Sequence, residues 1–332
     1  MIPTKDDIKA LGLCSGGLDS ILSALVLRDQ GIAVSWVSFE TPFFSADKAR
    51  AAARITGVPL TVRDITPVYL EMLKNPRCGY GRRMNPCMDC HALMFRLAGD
   101  MMAELGASFL FSGEVLGQRP MSQTRPSLRY VEKHSGHDGY ILRPLSAKKL
   151  PETIPEREGW VDRERLLDFS GRTRKPQMAL ADAYGITDYP APAGGCLLTD
   201  KGFSTRLRDL FAHGTDDETE AELHLLRHGR HIRLDDRTKI VVGRTKADNA
   251  AISALVRPET DVTLKVRDYP GPAVVIPRGG SDEGIRLAAA IAAGYTKAPA
   301  DQPAEVRVTQ PDGRRTIRVT PLPRAEIGKY LI

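Results

Sequence analysis

The chain has 332 residues, 42% hydrophobic and 27% charged, enough for two domains each with its own core. A net charge of +6 permits a polyanionic partner without demanding one, and five unevenly spaced cysteines do not make a disulfide framework, so they read as metal ligands or reactive thiols. No apolar run approaches the roughly 18 residues of a spanning helix, and the first residues carry no signal-peptide core; the expectation is a cytoplasmic protein with no membrane partner.

Residues 8–14 and 33–39 read as buried strands with a helix at about 19–30 between them. That is a βαβ unit, and it implies a parallel sheet. The turn from first strand to helix is Ser15-Gly16-Gly17-Leu18-Asp19-Ser20. Its glycines let the backbone approach a ligand, its serines add hydroxyls, and the helix start adds amides and a positive dipole end. A phosphate fits there. The carboxylate of Asp19 among phosphates calls for a hard cation between them. The spacing is neither G-x-x-x-x-G-K-[ST] nor G-x-G-x-x-G. It resembles the loop of the PP-loop ATP pyrophosphatases. The resemblance implies that Ser15, Gly16, Gly17 and Ser20 hold the pyrophosphate of ATP, with Asp19 organising Mg²⁺ and the leaving group.

Phe39-Glu40-Thr41-Pro42 closes the second strand, a helix follows at about 46–56, and a third strand runs over 59–62. A Gly/Pro loop over 78–91 carries Cys78, Cys87 and Cys90, and a helix is expected over 92–105. The strand Phe109-Leu110-Phe111 leads into Gly113-Glu114-Val115-Leu116-Gly117-Gln118, then Ser122-Gln123-Thr124 and Ile141-Leu142-Arg143-Pro144-Leu145. These segments resemble the adenylation domain of tRNA 4-thiouridine synthases. That implies nucleotide contacts from Gly113 and from Gln118 or Gln123, with Leu13 and Phe39 near the adenine. Residues 119–149 carry seven Lys and Arg against two acids, which suits a nucleic-acid backbone or a solvated loop. Within them, 134–138 read as a flexible tip. Residues 150–188 read as mostly helical, with Arg172-Thr173-Arg174-Lys175-Pro176 as a phosphate contact or a helix start.

Cys87 and Cys90 form a C-x-x-C, compatible with a redox pair, half a zinc site or iron–sulfur ligation. Cys196 sits far along the chain on the Gly/Pro segment 189–197. Asn85-Pro86-x-x-x-Cys90 resembles the segment bearing the catalytic thiol of tRNA 2-thiouridylases, which implies Cys90 as that thiol and Cys196 as its partner. The extra Cys87 resembles related thiolases that hold a 4Fe-4S cluster on three cysteines, here Cys87, Cys90 and Cys196. Two sulfur routes follow, a cluster with one open iron or a persulfide on Cys90 resolved by Cys196. A helix start beside Cys90 is expected to lower a thiol pKa. Cys14 reads as packing, and Cys78 has no assigned role.

From residue 201 the pattern changes. Residues 203–211 read as a connector and 217–228 as a helix. A hairpin pairs 231–234 with 239–242, a helix covers 247–256, and strands lie near 262–267 and 273–276. A helix at 283–294 and a hairpin turning at 311–313 complete the module. It resembles the small RNA-associated domain of ribosome quality-control factors, the NFACT-R type, which implies RNA contact. The expected architecture is therefore α/β, a parallel-sheet PP-loop domain (adenine nucleotide alpha hydrolase-like) over 1–200, followed by a small α+β domain over 201–332. The function these resemblances imply is ATP-dependent thiolation of a tRNA uridine. Its cofactors would be ATP, Mg²⁺ and, on the cluster route, a 4Fe-4S cluster, and its partners tRNA and a sulfide or persulfide donor. The alternatives are adenylation of a small carboxylate or amide with structural cysteines, and a non-catalytic RNA-binding module.

Overall fold

In the computed structural model, which describes residues 8–190, 196–214 and 219–332, strand β1 (Lys9–Leu13) lies at the centre of a five-stranded sheet. The chain divides into two compact units, Met1–Thr199 and Asp200–Ile332.

In the first unit, α1 (Leu18–Arg28), β2 (Ala33–Glu40), α2 (Asp47–Thr56), β3 (Leu60–Asp64) and α3 (Thr66–Lys74) follow β1. Then come α4 (Cys87–Asp100), the short α5 (Met102–Leu105), β4 (Phe109–Ser112), α6 (Arg125–Ser135), β5 (Ile141–Leu142), the short α7 (Ile154–Arg157) and α8 (Lys175–Ala183). The strand order is β3-β2-β1-β4-β5, and every pairing is parallel. The α/β parallel sheet expected from the sequence is present. Chain order runs outward from β1 one way through β2 and β3, and the other way through β4 and β5. The switch point therefore falls between β1 and β4, where open α/β sheets bind ligands at their carboxyl ends. Leu13 and Ser112, the last residues of these two strands, are register partners. The core is built from the apolar face of α1 (Leu18, Ile21, Leu22, Leu27) with Ile8, Ala10, Trp36, Phe109 and Phe111.

The second unit comprises α9 (Lys201–His213), α10 (Glu220–Leu225), β6 (Arg230–Arg233), β7 (Lys239–Val242) and α11 (Lys246–Ala254). After these come β8 (Val262–Val266), β9 (Val274–Ile276), α12 (Asp282–Gly294), β10 (Ala304–Gln310), β11 (Gly313–Val319) and the short α13 (Arg324–Ile327). Its sheet is antiparallel, in the order β11-β10-β8-β9-β7-β6. The period-two alternation of strands sets its faces. Ile240, Val242, Val274 and Ile276 join Ile285, Ala288 and Ile291 of α12 in one core. Val241 and Val275 point the other way, to Leu225 and Ile252.

Several sequence expectations are corrected. The helix expected over 92–105 begins at Cys87, so the C-x-x-C forms the first turn of α4 rather than a loop before it. Pro86 occupies the N-cap position and Asp89 lies in the first turn, where a carboxylate suits the helix dipole. Residues 150–188 are not mostly helical. Pro151, Gly159 and Gly171 interrupt them, leaving α7, one 3-10 turn and α8. Residues 203–211 are not a connector but part of α9, because the Asp200 side chain caps Phe203 N at 2.7 Å and Phe203 and Leu207 are buried. The helix expected over 217–228 is confined to Glu220–Leu225, with Thr219 and Glu222 forming a capping box; residues 215–218 lie outside the described residues. The tip expected at 134–138 is instead the end of α6 closed by Gly136, with Ser135 fully buried.

Candidate active site

The loop from β1 to α1 is shaped by two requirements. Gly16 has φ 71°, and a Cβ there would lie 2.1 Å from the Lys48 carbonyl carbon, so only glycine fits the turn. Ser15 and Ser20 tie the loop together, Oγ to Oγ at 3.1 Å, and Ser15 N donates to Ser20 Oγ at 3.3 Å. Gly17 stands at the N-cap of α1 with no side-chain cap hydrogen bond, and Asp19 lies in the first turn of that helix.

The loop after β4 lies directly against this turn. A Cβ on Gly113 would come 2.4 Å from the Asp19 carbonyl carbon, so Gly113 acts by leaving room for the first turn of α1. The two candidate glutamines are placed differently. Gln118 Nε2 donates to Asp19 Oδ2 at 3.1 Å. Gln123 is buried, its Oε1 accepts from Arg119 N at 3.1 Å, and its carbonyl accepts from Gly117 N at 2.7 Å, so it shapes the loop. Leu13 is half-buried at the sheet edge, whereas Phe39 is 5% exposed and faces inward.

Asp19 sits among groups that the sequence pattern did not single out. Burial pushes its carboxyl above the usual range, opposed by Gln118, Arg174, Arg119 and Gln177. Arg119 and Arg174 rise from neighbouring segments, since Leu116 and Ser170 form a parallel bridge and Gly171 N donates to Leu116 O at 2.7 Å. A glycine turn, two arginines and one carboxylate make a fitting cradle for a polyphosphate with a divalent cation.

Beneath the loop, Glu114 is buried in a fixed network. His91 Nδ1 lies 2.7 Å from its Oε1, and Ser112 Oγ and Arg143 Nε donate to its Oε2 at 3.2 and 3.0 Å. Arg143 also binds Glu132 and is 2% exposed. Of the seven cations between 119 and 149, Arg143 is thus buried, and the exposed Arg129 is paired with Asp138 and Glu132. That segment is not a uniform basic loop. Burial disfavours the Glu114 carboxylate, but Arg143 and His91 overcome it and hold the carboxyl down at about 2. Stability from Glu114 is therefore present above the ordinary carboxylate range and is lost as pH falls toward 2. We expect Arg143→Ala to cost about 3–5 kcal/mol, because it strands a buried carboxylate. Chemical denaturation at pH 7 and pH 3 checks this, and the penalty should shrink at the lower pH.

The cysteines converge at the carboxyl edge of β2. Leu197 N donates to Phe43 O at 3.1 Å, which anchors Cys196 just beyond that strand. The Tyr69 ring packs on Phe43 and Phe44, with centroids 5.7 and 5.3 Å away, and its hydroxyl donates to Cys90 Sγ at 3.7 Å. Asn85 Nδ2 donates to Cys87 Sγ at 3.3 Å. Cys87, Cys90 and Cys196 all lie within electrostatic reach of Tyr69, and Cys87 and Cys196 within reach of Cys90. Arg119 lies within electrostatic reach of both Asp19 and Cys196. The expected acidification by the helix start is overturned for Cys90. The residue is half-buried, yet enclosure of its thiol by protein pushes the pKa up, and that of Cys196 is pushed to about 11. Desolvation of a thiolate outweighs the dipole of one helix end.

Three cysteine sulfurs suit an iron–sulfur cluster by donor type. Among the described residues, however, no three His, Cys, Asp or Glu side chains are gathered as a metal-holding group. Cys14 is buried with its thiol pushed up to about 12, consistent with a packing role. Cys78 is exposed, and its backbone is pinned by Asp89, whose carboxylate also accepts from Tyr130 Oη at 2.7 Å.

Comparison with known proteins supplies independent findings. Residues 6–154 match the family model described as thiamine biosynthesis protein (ThiI), and residues 229–331 match the NFACT protein RNA binding domain. A Staphylococcus aureus (strain JH1) protein named "Probable tRNA sulfurtransferase" is 25% identical over 160 residues, 46% of this chain and 38% of that protein. The chain thus spans well under half the length of that relative. Among solved structures, the C-terminal part of a fibronectin/fibrinogen-binding protein from Streptococcus suis aligns with 20% identity and a TM-score of 0.29, over 48% of this chain and 76% of that one. An NMN synthetase from Francisella tularensis aligns with 11% identity and a TM-score of 0.27, over 56% and 90%. No helix among the described residues is long and apolar enough to cross a membrane.

Proposed function

Since the chain carries a ThiI-family domain over residues 6–154 and a domain of the NFACT RNA-binding type over 229–331, we propose that it is an ATP-dependent tRNA sulfurtransferase of the cytoplasm. The observation that carries this reading is the approach of Cys87, Cys90 and Cys196 to one another, beside an arginine that also acts on Asp19.

ATP would rest on Ser15, Gly16, Gly17 and Ser20, its phosphates facing Arg119 and Arg174. Mg²⁺, held at Asp19, would supply neutralisation of the charge that builds on the leaving pyrophosphate. The uridine oxygen attacks the α-phosphorus, and pyrophosphate departs. In the thiol route, the terminal sulfur of a Cys90 persulfide attacks the activated ring carbon and AMP leaves. Cys196 then attacks the inner sulfur, leaving a Cys90–Cys196 disulfide and a thiouridine. The cycle closes in one of two ways: an external dithiol reduces the disulfide and a persulfide donor passes its outer sulfur to the Cys90 thiolate, with the donor's own thiol as leaving group, or sulfide attacks the disulfide at Cys90 Sγ, giving the Cys90 persulfide and releasing Cys196 as a thiolate. Anaerobic iron and sulfide analysis decides whether a 4Fe-4S cluster on Cys87, Cys90 and Cys196 takes the place of that persulfide. ATP, sulfide donor and unmodified tRNA should together yield AMP, pyrophosphate and a thiolated uridine. AMP without thionucleoside would favour adenylation of a small carboxylate or amide.

The second unit offers a surface for the RNA. On the exposed face of β8, β10 and β11 stand Lys265, Arg267, Arg307, Arg314 and Arg318, with Glu305 as the acid among them. Arg307 is the register partner of Lys265. Such a face suits phosphates more than base edges. The double variant Lys265→Glu, Arg307→Glu should weaken tRNA binding at low salt by about 10- to 100-fold. It should also reduce the slope of log affinity against log salt by roughly 1 to 2. Filter binding across a salt series checks this, and an unchanged slope would place the RNA elsewhere.

A further inference from the structure

The two faces of the second unit's sheet are covered unequally. One face packs on α12, with Val262, Leu264, Val306 and Val308 in that core. On the other, Ile252 of α11 covers Val241 and Val275, and the cover stops there. Thr263 of β8 shares this second face with Val275, its register partner, and Lys265 lies two residues further along the same face. The flank of α11 thus ends in a step. Beneath it runs a cleft of about 850 Å³, within the roughly 300–1,000 Å³ of small-ligand sites. Ile252, Ser253 and Val256 of α11 line one side and Thr263 and Lys265 of β8 the other, and the turn 268–272 completes the lining. That turn is held in place. A Cβ on Gly271 would lie 2.8 Å from Thr296, and Asn249 Oδ1 on α11 accepts from Ala273 N at 3.0 Å.

We propose that this cleft holds one unstacked base of single-stranded RNA, with the adjoining phosphates on Lys265 and Arg307. The assignment rests on the RNA reading of this unit above and names the part of the RNA that the cleft takes. Ile252, Val256, Pro270 and Pro272 offer apolar surface to the flat faces of a base. Asn249 Nδ2, Ser253 Oγ and Thr263 Oγ1 have no hydrogen-bond partner among the described residues, which leaves donors and acceptors for the base edge. Lys265 belongs to the lining, and Arg307 is its register partner one strand out. Neither has an acid partner among the described residues, whereas Arg267 and Arg318 already share Glu305 at 2.8 and 3.0 Å. Asp268, an acid of the lining, repels phosphate and so leaves the backbone to the basic strands. A base inside a duplex has both faces covered by its neighbours and cannot enter between two walls, so the cleft selects single strands.

The test reads binding to the full chain by fluorescence anisotropy. The probes are a single-stranded RNA of about 12 nucleotides, the same backbone without bases, and the corresponding duplex. The single strand should bind at least about tenfold tighter than either of the others. Ser253→Trp, at an exposed position of α11, fills the cleft and leaves every cation in place. It should cost the single strand about tenfold in affinity while the slope of log affinity against log salt stays as in wild type. A second measurement needs no variant: 5-iodouridine in the single strand should photocrosslink to wild type within residues 249–273, with Tyr269 of the lining as acceptor. Equal affinity for the strands with and without bases, a folded Ser253→Trp that binds as wild type, or crosslinks wholly outside 249–273 overturns the proposal and leaves the charged sheet face as the RNA site. Self-association that Ser253→Trp abolishes, with RNA affinity unchanged, gives the cleft to a second copy of the chain and overturns it as well. Absence of binding to all three probes at low salt removes the RNA reading itself.

Discussion

Replacing Cys196 by alanine is expected to abolish thionucleoside formation, a loss on the order of 10³-fold or more, while AMP and pyrophosphate still appear. The substitution removes the thiol proposed to resolve sulfur transfer but leaves the glycine turn, Asp19 and Gln118 untouched. Because the Cys196 thiol is pushed up to about 11, it is almost wholly protonated at neutral pH. The resolving step in wild type should therefore accelerate about tenfold per pH unit between roughly 7 and 10. Rapid-quench single turnovers with mass spectrometry of digested tRNA check both statements. Thiolation at the wild-type rate in Cys196→Ala would remove that residue from the chemistry.

Asp19→Asn should act in two opposed directions. Loss of the charge proposed to anchor the cation should slow pyrophosphate release by about 10²- to 10³-fold. The same change should raise thermal stability at pH 7. The folded protein holds the Asp19 carboxyl above its ordinary pKa, so at neutral pH the charged form is a burden that asparagine relieves. The gain should be full above the folded pKa and should vanish as pH falls below the ordinary carboxylate value, about 4. Thermal melts from pH 4 to pH 8 follow it. A destabilised Asp19→Asn at pH 7 would mean that the site does not store this strain.

The parallel sheet was legible because strand, glycine turn and helix follow one another at residues 8–30 with an apolar pattern that has few other solutions. The candidate site was legible only where the chain itself marks it, as in the serine–glycine turn and the Cys87–Cys90 pair. Gln177 and Arg174 carry no local signal. They reach Asp19 because α8 packs on α1 after a stretch of more than 140 residues. Tyr69 reads as one more aromatic on an amphipathic helix, and only packing against Phe43 and Phe44 turns its hydroxyl to Cys90. The misplaced start of α4 has a similar origin. Asn-Pro and nearby glycines signal a loop, yet Pro86 ends at an N-cap and the next residue is already helical. The thiol pKa expectation failed because a helix end is visible in sequence and the crowding around a sulfur is not.

The account stands most directly on coupling between nucleotide cleavage and sulfur transfer. A single anaerobic turnover with α-labelled ATP, charged protein and unmodified tRNA should give AMP and thiouridine in a one-to-one ratio, with neither formed when tRNA is omitted. Thiouridine appearing at the same rate without ATP would contradict it.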